Sequence, residues 1–544
     1  MKKRVFSLLI ICALLAAFTA QAGAADFDAA FTGAGRDAAI IAADYPEVGG
    51  ELEPEEALPS SYSAVDKGYV TPVRKQKYNT CWAYCSTATL ESRILSMGDM
   101  TDHLSTMHMN YWGTTTPDGK GWQRVYYGGG FPYIALGYLT SFGAFNDSLF
   151  PEDMTEEDYR ERGGDFYPHH IASSIIYLNA NDRDTVKTAI YEYGGVIGNF
   201  HYDSAMSYNG AYYCDTPGLL TRQLYGHAIE IVGWDDAFSA SSFNPDHQPS
   251  SDGAWLCKNS WGESFGNNGF FWISYEDNYL FDSRFGPSYA ISEARPMNAI
   301  DKVQQNETYG AVCEFKYLNT KQRMTKMTYV NVFDFSDGYH NIDKVVFESV
   351  AQGSYYTVYY MPVDEDGVPV DDDSTWIELG SGTIGYEGYL SVNTGGFSAP
   401  EEKGAIGVQI RRPDSSGSLA IGTSEWFRVG GVMRFIPYSD KGLSYLIGYG
   451  VEPMDVMDFY SSIDDDIGGT FVIKALCHSD DENGDADRDG SFTIIDVTAT
   501  QRELIDLMEF DKTQMRFADF DNNGEVDIVD CTKMQRRLVN LDYN

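Results

Sequence analysis

Basic residues are scarce. The 544-residue chain has 39 Lys plus Arg against 80 Asp plus Glu, a formal net charge of −41. Nucleic acid binding needs a cationic footprint for phosphates, so nucleic acid is excluded as a partner. The same shortage argues against binding an anionic membrane. Long apolar runs are absent beyond residue 18, so no later segment is expected to span or insert into a bilayer. Cysteine is also sparse. Of eight Cys, Cys12 lies in the N-terminal apolar run, which leaves an odd number. That is not a disulfide scaffold, and at least one thiol is unpaired or pairs between molecules. An exported protein with a free thiol either lives where oxidant is scarce or uses the thiol.

Export is indicated by the first residues. Lys2, Lys3 and Arg4 precede an apolar run from Val5 to Phe18, then Ala20-Gln21-Ala22 and Ala22-Gly23-Ala24. Charge, apolar run and A-x-A site in that order form a secretory signal, so residues 1–24 are expected to be removed and the product to be secreted and extracellular. Residues 25–57 are Ala, Asp, Glu and Gly-rich and read as a flexible lead-in or short pro-segment. At 43% hydrophobic residues the remainder can build several cores, and its length suggests three or four domains.

Residues 58–295 carry helix signals early and strand signals late, the order of an α+β domain. Thr80 to Leu95 fits a helix with Thr80 as N-cap. His227–Trp234 and Ala254–Lys258 fit strands. Cys81 stands at the expected helix start, where backbone N–H groups favour thiolate. Gln76, a few residues earlier, can donate to a developing oxyanion beside the Cys81 N–H. His227 opens one strand and Asn259 ends another. A nucleophilic thiol needs a base, and the base needs an acceptor to fix its tautomer. Trp261 is suited to cover that pair from water. Taken singly, each has a plain structural reading. The order Cys…His…Asn, each at an element terminus, favours catalysis.

These segments resemble a papain-like cysteine peptidase: Leu58-Pro59, Val70-Thr71-Pro72-Val73-Arg74, Cys81-Trp82-Ala83, Gly226-His227-Ala228 and Asn259-Ser260-Trp261-Gly262. The resemblance implies Cys81 as nucleophile, His227 as acid/base, Asn259 as its orienter and Gln76 as oxyanion donor. It implies that Gly129 and Gly130, in Gly128-Gly129-Gly130, bind extended protein or peptide substrate with Trp261, and that a helix runs through Ala135, Tyr138 and Leu139. Gln76 lies five positions before Cys81, where the family usually has six. Tyr78 sits where animal and plant members often have a disulfide Cys. Asp235 to Asp252 reads as an exposed insertion.

Residues 300–476 change texture. Lys344–Ser349, Tyr355–Tyr360, Ala405–Ile410 and Thr470–Leu476 are β-branched or aromatic and are separated by Gly/Asp/Ser turns, which suggests an all-β sandwich. The arrangement resembles the lectin-like domain that follows papain-like peptidases in some prokaryotic proteins. Tyr355, Tyr356 and Trp376 could stack on a sugar, so carbohydrate is a further partner to consider; core packing is the commoner role of such aromatics.

Ser479 to Asn483 reads as an acidic linker to residues 479–544, which contain a repeat at an offset of 34. Asp485, Asp487, Asp489, Gly490, Ser491 and Asp496 map onto Asp519, Asp521, Asn523, Gly524, Glu525 and Asp530. Side-chain oxygens at positions 1, 3 and 5, Gly at 6, a carbonyl at 7 (Ser491, Glu525) and a carboxylate at 12 suit calcium, which takes six to eight oxygens. An EF-hand has Glu at 12, whereas both loops here have Asp. The segment resembles a type I dockerin, which implies two calcium ions and a cohesin module of a cellulosome-like scaffold as partner. Ile494-Ile495 and Ile528-Val529 occupy the positions that set cohesin choice in that family; they suit a docking face or burial within the module. The whole reads as a multidomain chain: an α+β papain-like fold, an all-β sandwich and a small α calcium-binding dockerin. No cofactor is expected for catalysis. The leading function is a tethered, secreted cysteine endopeptidase acting through a Cys81 thioester. The alternative is a catalytically weak adhesion or carbohydrate-binding scaffold component.

Overall fold

The computed structural model describes residues 30–33, 52, 54 and 57–540, except 100–102, 117, 163–167, 180–181, 216–225, 282–285, 311–312, 319–324, 413–418, 426, 430–432, 438–439, 449–451 and 462–467. The expected signal peptide lies outside the described residues, as does most of the lead-in. No helix among the described residues is long and apolar enough to cross a membrane.

The expected helix forms over Cys81–Ser96. It is buried on nearly all sides, so its polar residues must find partners inside the protein. Ser86 and Thr87 donate to the Trp82 and Ala83 carbonyls one turn back. Glu91 accepts from the Leu104 N–H at 2.7 Å and pairs with Arg74 at 3.1 Å. Thr80 holds the N-cap position, but its hydroxyl donates backwards to the Lys77 carbonyl and does not cap the helix. The helix over Pro132–Ser141 opens on Pro132, whose missing N–H costs nothing in a first turn.

Behind the long helix lies a sheet whose central strand, Gly226–Asp235, is flanked by Val196–His201 and Ala254–Lys258. Registers place Phe200 opposite His227 and Lys258 opposite Glu230. Lys258 and Glu230 approach to 3.4 Å, both buried. They tie the strand that ends one residue before Asn259 to the strand that carries His227 near its start.

The β-region packs sheets face to face as a sandwich, but the largest of them is not its own. Strands Asp301–Gln305, Ile473–His478, Asn341–Ser349 and Gly388–Ser398 continue through His170–Tyr177 into the sheet behind the helix, giving a single sheet of 13 strands. Tyr389 pairs with Ile175 and Gly388 with Ile176 at the seam. Gly388 makes this possible: a Cβ there would fall 2.1 Å from the Ile175 carbonyl oxygen. Two of the joined strands, Asn341–Ser349 and Ile473–His478, are apolar on both faces, as a sheet covered on both sides requires. In Asn341–Ser349, Val345 and Phe347 face the sandwich core while Val346 faces the core around the long helix. Leu476 and Cys477 divide in the same way. The six-stranded second sheet, which contains Tyr355–Met361 and Lys403–Arg411, closes the sandwich.

Three short helices, Ile494–Glu503, Lys512–Ala518 and Ile528–Leu538, make up the C-terminal unit around Val497, Phe510, Cys531 and Met534. Ser479 to Asn483 is less a linker than a strap. The Ser479 N–H bonds to the Ile300 carbonyl at 2.9 Å, and Asp480 accepts from Asn341 Nδ2 at 2.7 Å.

Candidate active site and calcium loops

Cys81 is the first residue of the buried helix and is itself partly exposed. Its sulfur lies within reach of the backbone N–H groups of Cys81, Trp82 and Ala228, the residue after His227. Cys85, one turn along, donates its thiol to the Ala228 carbonyl at 2.9 Å. The peptide that carries His227 into its strand is thus held by two cysteines of one helix. His227 Nε2 lies 2.8 Å from Asn259 Oδ1. An amide oxygen accepts, so Nε2 is the protonated nitrogen and Nδ1 is left to exchange a proton. The Trp261 ring stacks on the imidazole at 4.3 Å between centroids and 25°. The structure therefore places Cys81 against the residue that follows His227, and His227 against Asn259.

The electrostatics depart from the helix-terminus expectation in one respect. Burial raises the Cys81 thiol, and the surrounding N–H groups only oppose that rise. Burial also pulls the His227 imidazole down to about 4, with the Asn259 bond opposing. Each group taken singly is therefore held neutral. Moving the proton from sulfur to imidazole creates two charges that offset each other, whereas a lone charge there is penalised.

The two C-terminal loops repeat one hydrogen-bond pattern at the 34-residue offset. Asp485 accepts from the N–H groups of Asp489 and Gly490 at 3.1 and 2.9 Å; Asp519 accepts from those of Asn523 and Gly524 at 3.0 and 2.8 Å. Asp496 and Asp530 are fully buried and close each loop onto its own position 3 and position 9 N–H. Carboxylate oxygens of Asp485, Asp487 and Asp489, and of Asp519, Asp521 and Asp530, each gather within 4.8 Å. Asp521 Oδ1 is buried without a hydrogen-bond partner. Burial, then the neighbouring carboxylates, pushes Asp519 up to about 7 and Asp530 to about 6. Among the described residues only Asp521 has a cationic partner, Lys533 at 2.8 Å, and the remaining carboxylates of these oxygen-only clusters, with the orphaned buried Asp521 oxygen, fit a hard divalent cation. Asp485, Asp487, Asp489 and Asp496 would hold one ion, with the Ser491 carbonyl; Asp519, Asp521, Asn523 and Asp530 would hold the other, with the Glu525 carbonyl.

Comparison with known proteins agrees with this geometry. Residues 58–290 match the papain family cysteine protease description, 303–475 the lectin-like domain and 483–539 the dockerin type I domain. A solved structure of the clostridial cysteine protease Cwp84 after propeptide cleavage is 31% identical, covers 77% of this chain and 100% of its own, and superposes with a TM-score of 0.67. The chain belongs to the papain family of cysteine proteases. A second structure, of the cysteine protease and lectin-like domains of Cwp84, a surface-layer-associated protein of Clostridium difficile, is 29% identical over 83% of this chain and 98% of that one, with a TM-score of 0.67. Among curated proteins, a probable cysteine protease of Arabidopsis thaliana is 26% identical over 40% of this chain and 59% of its own length. Cathepsin J of Mus musculus is 27% identical over 41% and 62%. The chain thus spans about three-fifths of these curated relatives. The fold expectation, a papain-like domain, a β-rich lectin-like domain and a helical dockerin, holds.

Within this papain-family site, Gln76 sits beside the crevice with its amide engaged. Its oxygen accepts from Ser260 Oγ at 2.7 Å, and Nε2 donates to the Tyr78 carbonyl at 2.9 Å. Tyr78, within the segment that is one residue short, turns through the left-handed region at φ 61°. Gly130 passes so close to Trp82 that a Cβ would fall 2.4 Å from the indole nitrogen. Gly129 has open space where a side chain would be, as a backbone strip for substrate needs.

Sequence reasoning missed Arg124. This buried guanidinium donates to the Gly128 and Gly129 carbonyls at 2.9 and 3.0 Å and to the Asn110 and Gly113 carbonyls, and it lies 5.1 Å from the Trp82 ring centroid. It fixes the Gly128 and Gly129 carbonyls against the body of the domain. One cation amid the aromatic and glycine-rich Trp122–Gly130 was its only signal. The sugar-stacking candidates have neighbours within the β-region, and Tyr355 stays 40% exposed. Trp376 donates its N–H to the Val370 carbonyl and packs on Tyr359, Tyr356 packs on Phe347, and Tyr355 lies under Arg411. Cys81, Cys85, Cys257, Cys477 and Cys531 are free thiols. The insertion after Asp235 is pinned by Phe243, fully buried, and by Phe238 stacked on Trp272 at 4.7 Å.

Proposed function

We propose that this papain-family protein is a secreted endopeptidase that hydrolyses peptide bonds through a Cys81 thioester and is tethered through its dockerin to a cohesin of a cellulosome-like scaffold. The observation that carries the catalytic reading is the 2.8 Å His227–Asn259 bond beneath Trp261, one residue from the Ala228 N–H that meets the Cys81 sulfur.

The sulfur gives its proton to His227 Nδ1 and adds to the substrate carbonyl carbon, while the carbonyl π pair moves onto oxygen. The Cys81 N–H and Gln76 Nε2 donate to that oxyanion. As the C–N bond breaks, His227 returns the proton to the departing amine and a thioester remains. Water loses a proton to the same nitrogen, attacks the thioester and releases the acid, and the thiol is restored. Substrate backbone lies along Gly129 and Gly130. In the tail, Asp485, Asp487, Asp489 and Asp496, and Asp519, Asp521, Asn523 and Asp530, would each supply an oxygen to calcium, whose charge would relieve the repulsion among the carboxylates. Ile494, Ile495, Ile528 and Val529 are 58, 57, 62 and 44% exposed, which supports a docking face over an internal core. The catalytic test is Cys81→Ala assayed on an unstructured protein substrate. Turnover should vanish while the fold persists, and unchanged turnover would remove Cys81 from the mechanism.

A further inference from the structure

The two calcium loops repeat each other in sequence but not in surroundings. At loop position 4 the first repeat has Arg488 and the second Asn522, both in the left-handed region, with φ of 63° and 54°. At position 6 stand Gly490 and Gly524. A Cβ on Gly490 would meet nothing within 4 Å, whereas one on Gly524 would fall 1.7 Å from Leu149 Cδ2 of the peptidase domain. Asn522 is only 8% exposed. Its Nδ2 donates to the Pro168 carbonyl at 2.9 Å and to the Met297 carbonyl at 3.0 Å. Phe517, just before the loop, packs on Ala299 and Ile300, and Arg488 lies over its ring at 4.4 Å. The second loop is therefore inserted into its own peptidase domain, and the first is not.

The inserted residues alternate with the proposed ligands: Asn522 lies between Asp521 and Asn523, and Gly524 between Asn523 and Glu525. Each can reach the peptidase surface only while the loop is tightly wound. Lys533 pairs with Asp521 at 2.8 Å and offsets one of the three gathered carboxylates; without a cation the remaining negative charge pushes that winding open, and with one all three hold it. We infer that calcium loading of the second loop and docking of the dockerin on its own peptidase domain are one coupled equilibrium, with Asn522, Gly524 and Leu149 as the joint. The inference rests on the calcium reading of the loops given above. Coupling of this kind is reciprocal, so breaking the joint must weaken calcium at the second loop and leave the first unchanged. Removing calcium must free the dockerin, and with it the exposed isoleucines now held at a set position relative to the cleft.

The test uses the full chain in three variants. Asn522→Gly keeps the backbone conformation and removes the amide. Leu149→Asp removes the apolar seat. Arg488→Gly alters the same position in the first repeat. None of these residues is a proposed ligand or touches the proposed substrate path. Calcium calorimetry should resolve two sites. One should weaken by at least about fivefold in Asn522→Gly and in Leu149→Asp, and neither should weaken in this way in Arg488→Gly. Small-angle scattering of the wild type should show an enlarged radius of gyration on chelation, and Asn522→Gly should be enlarged at subsaturating calcium. Two sites unaltered by both joint variants, with a scattering profile indifferent to chelation, would overturn the coupling alone. Failure of the chain to bind calcium at all would overturn the loop reading and the coupling with it.

Discussion

Asn259→Ala is the most informative single change at the candidate active site. Asn259 is 2% exposed, and its side-chain oxygen accepts from His227 Nε2 at 2.8 Å and from the Ser260 N–H at 2.7 Å. Trp261 covers the imidazole, so water reaches the vacated position only by moving that ring. The substitution leaves a buried N–H without an acceptor, which costs about 1–3 kcal/mol. The cost rises as the ring becomes imidazolium, because the charged donor loses more, so it falls on the proton-transferred state that reacts. At about 1.36 kcal/mol per decade, the loss is roughly 5- to 160-fold in kcat, with KM little changed. The Asn259 bond also opposes the burial that holds His227 at about 4, so its removal lowers that value further and makes imidazolium harder to form. Asn259→Asp restores an acceptor and adds a negative charge, which raises the imidazole. Steady-state kinetics on a fluorogenic peptide, paired with the rate of thiol alkylation by an epoxide inhibitor, separates these effects. Asn259→Ala should slow both, and Asn259→Asp should shift the pH profile. Activity of Asn259→Ala within twofold of wild type across pH would refute the orienting role.

Other expectations follow from single contacts. Arg124→Met leaves the Gly128 and Gly129 carbonyls and two others without their buried donor. A loss of about 3 kcal/mol in urea unfolding is expected, together with a higher KM; a lower midpoint with unaltered KM would limit Arg124 to a structural role. Glu348 is fully buried at the seam, with Tyr177 donating to it at 2.5 Å, and burial pushes its carboxyl up to about 8. Its protonated form is thus favoured in the folded state, so the stability it contributes is complete below the unfolded value near 4.5 and is lost as pH rises through about 8. Melting temperatures of wild type and Glu348→Gln should therefore diverge as pH rises from 5 to 9, and parallel curves would contradict this. Asp519 and Asp530, held at about 7 and 6, must ionise to bind calcium. Calcium binding at pH 6 should release protons, visible as a heat that depends on buffer ionisation enthalpy, whereas at pH 8 the dependence should fade.

Much of this molecule was legible because its signals are local. A dockerin repeat sets its oxygen-bearing residues within twelve positions, so an ordered run of Asp, Asn and Gly marks it, and a second copy at a constant offset marks it again. Cys81 heads a helix and His227 opens a strand for reasons contained in their own neighbourhoods. What local pattern could not convey is what meets what. A strand apolar on both faces reads the same whether it lies inside a sandwich or forms a wall shared with another domain; only Gly388 approaching Ile175 decides for the wall. Burial reversed the expected direction at Cys81, since desolvation depends on everything packed around the sulfur and not on helix position alone. Arg124 is remote in sequence from Cys81, yet it lies beneath the glycine strip.

Sequence alone determined the chemistry available: a thiol, an imidazole, a carboxamide and two sets of oxygen ligands, each in a short motif whose spacing is set by local backbone geometry. Tertiary structure alone decided the relations between them. The crevice, the shared sheet and the seating of Asn522 between Pro168 and Met297 join segments far apart in the chain. Such contacts depend on shape and burial summed over the whole fold, and no single stretch of residues contains them.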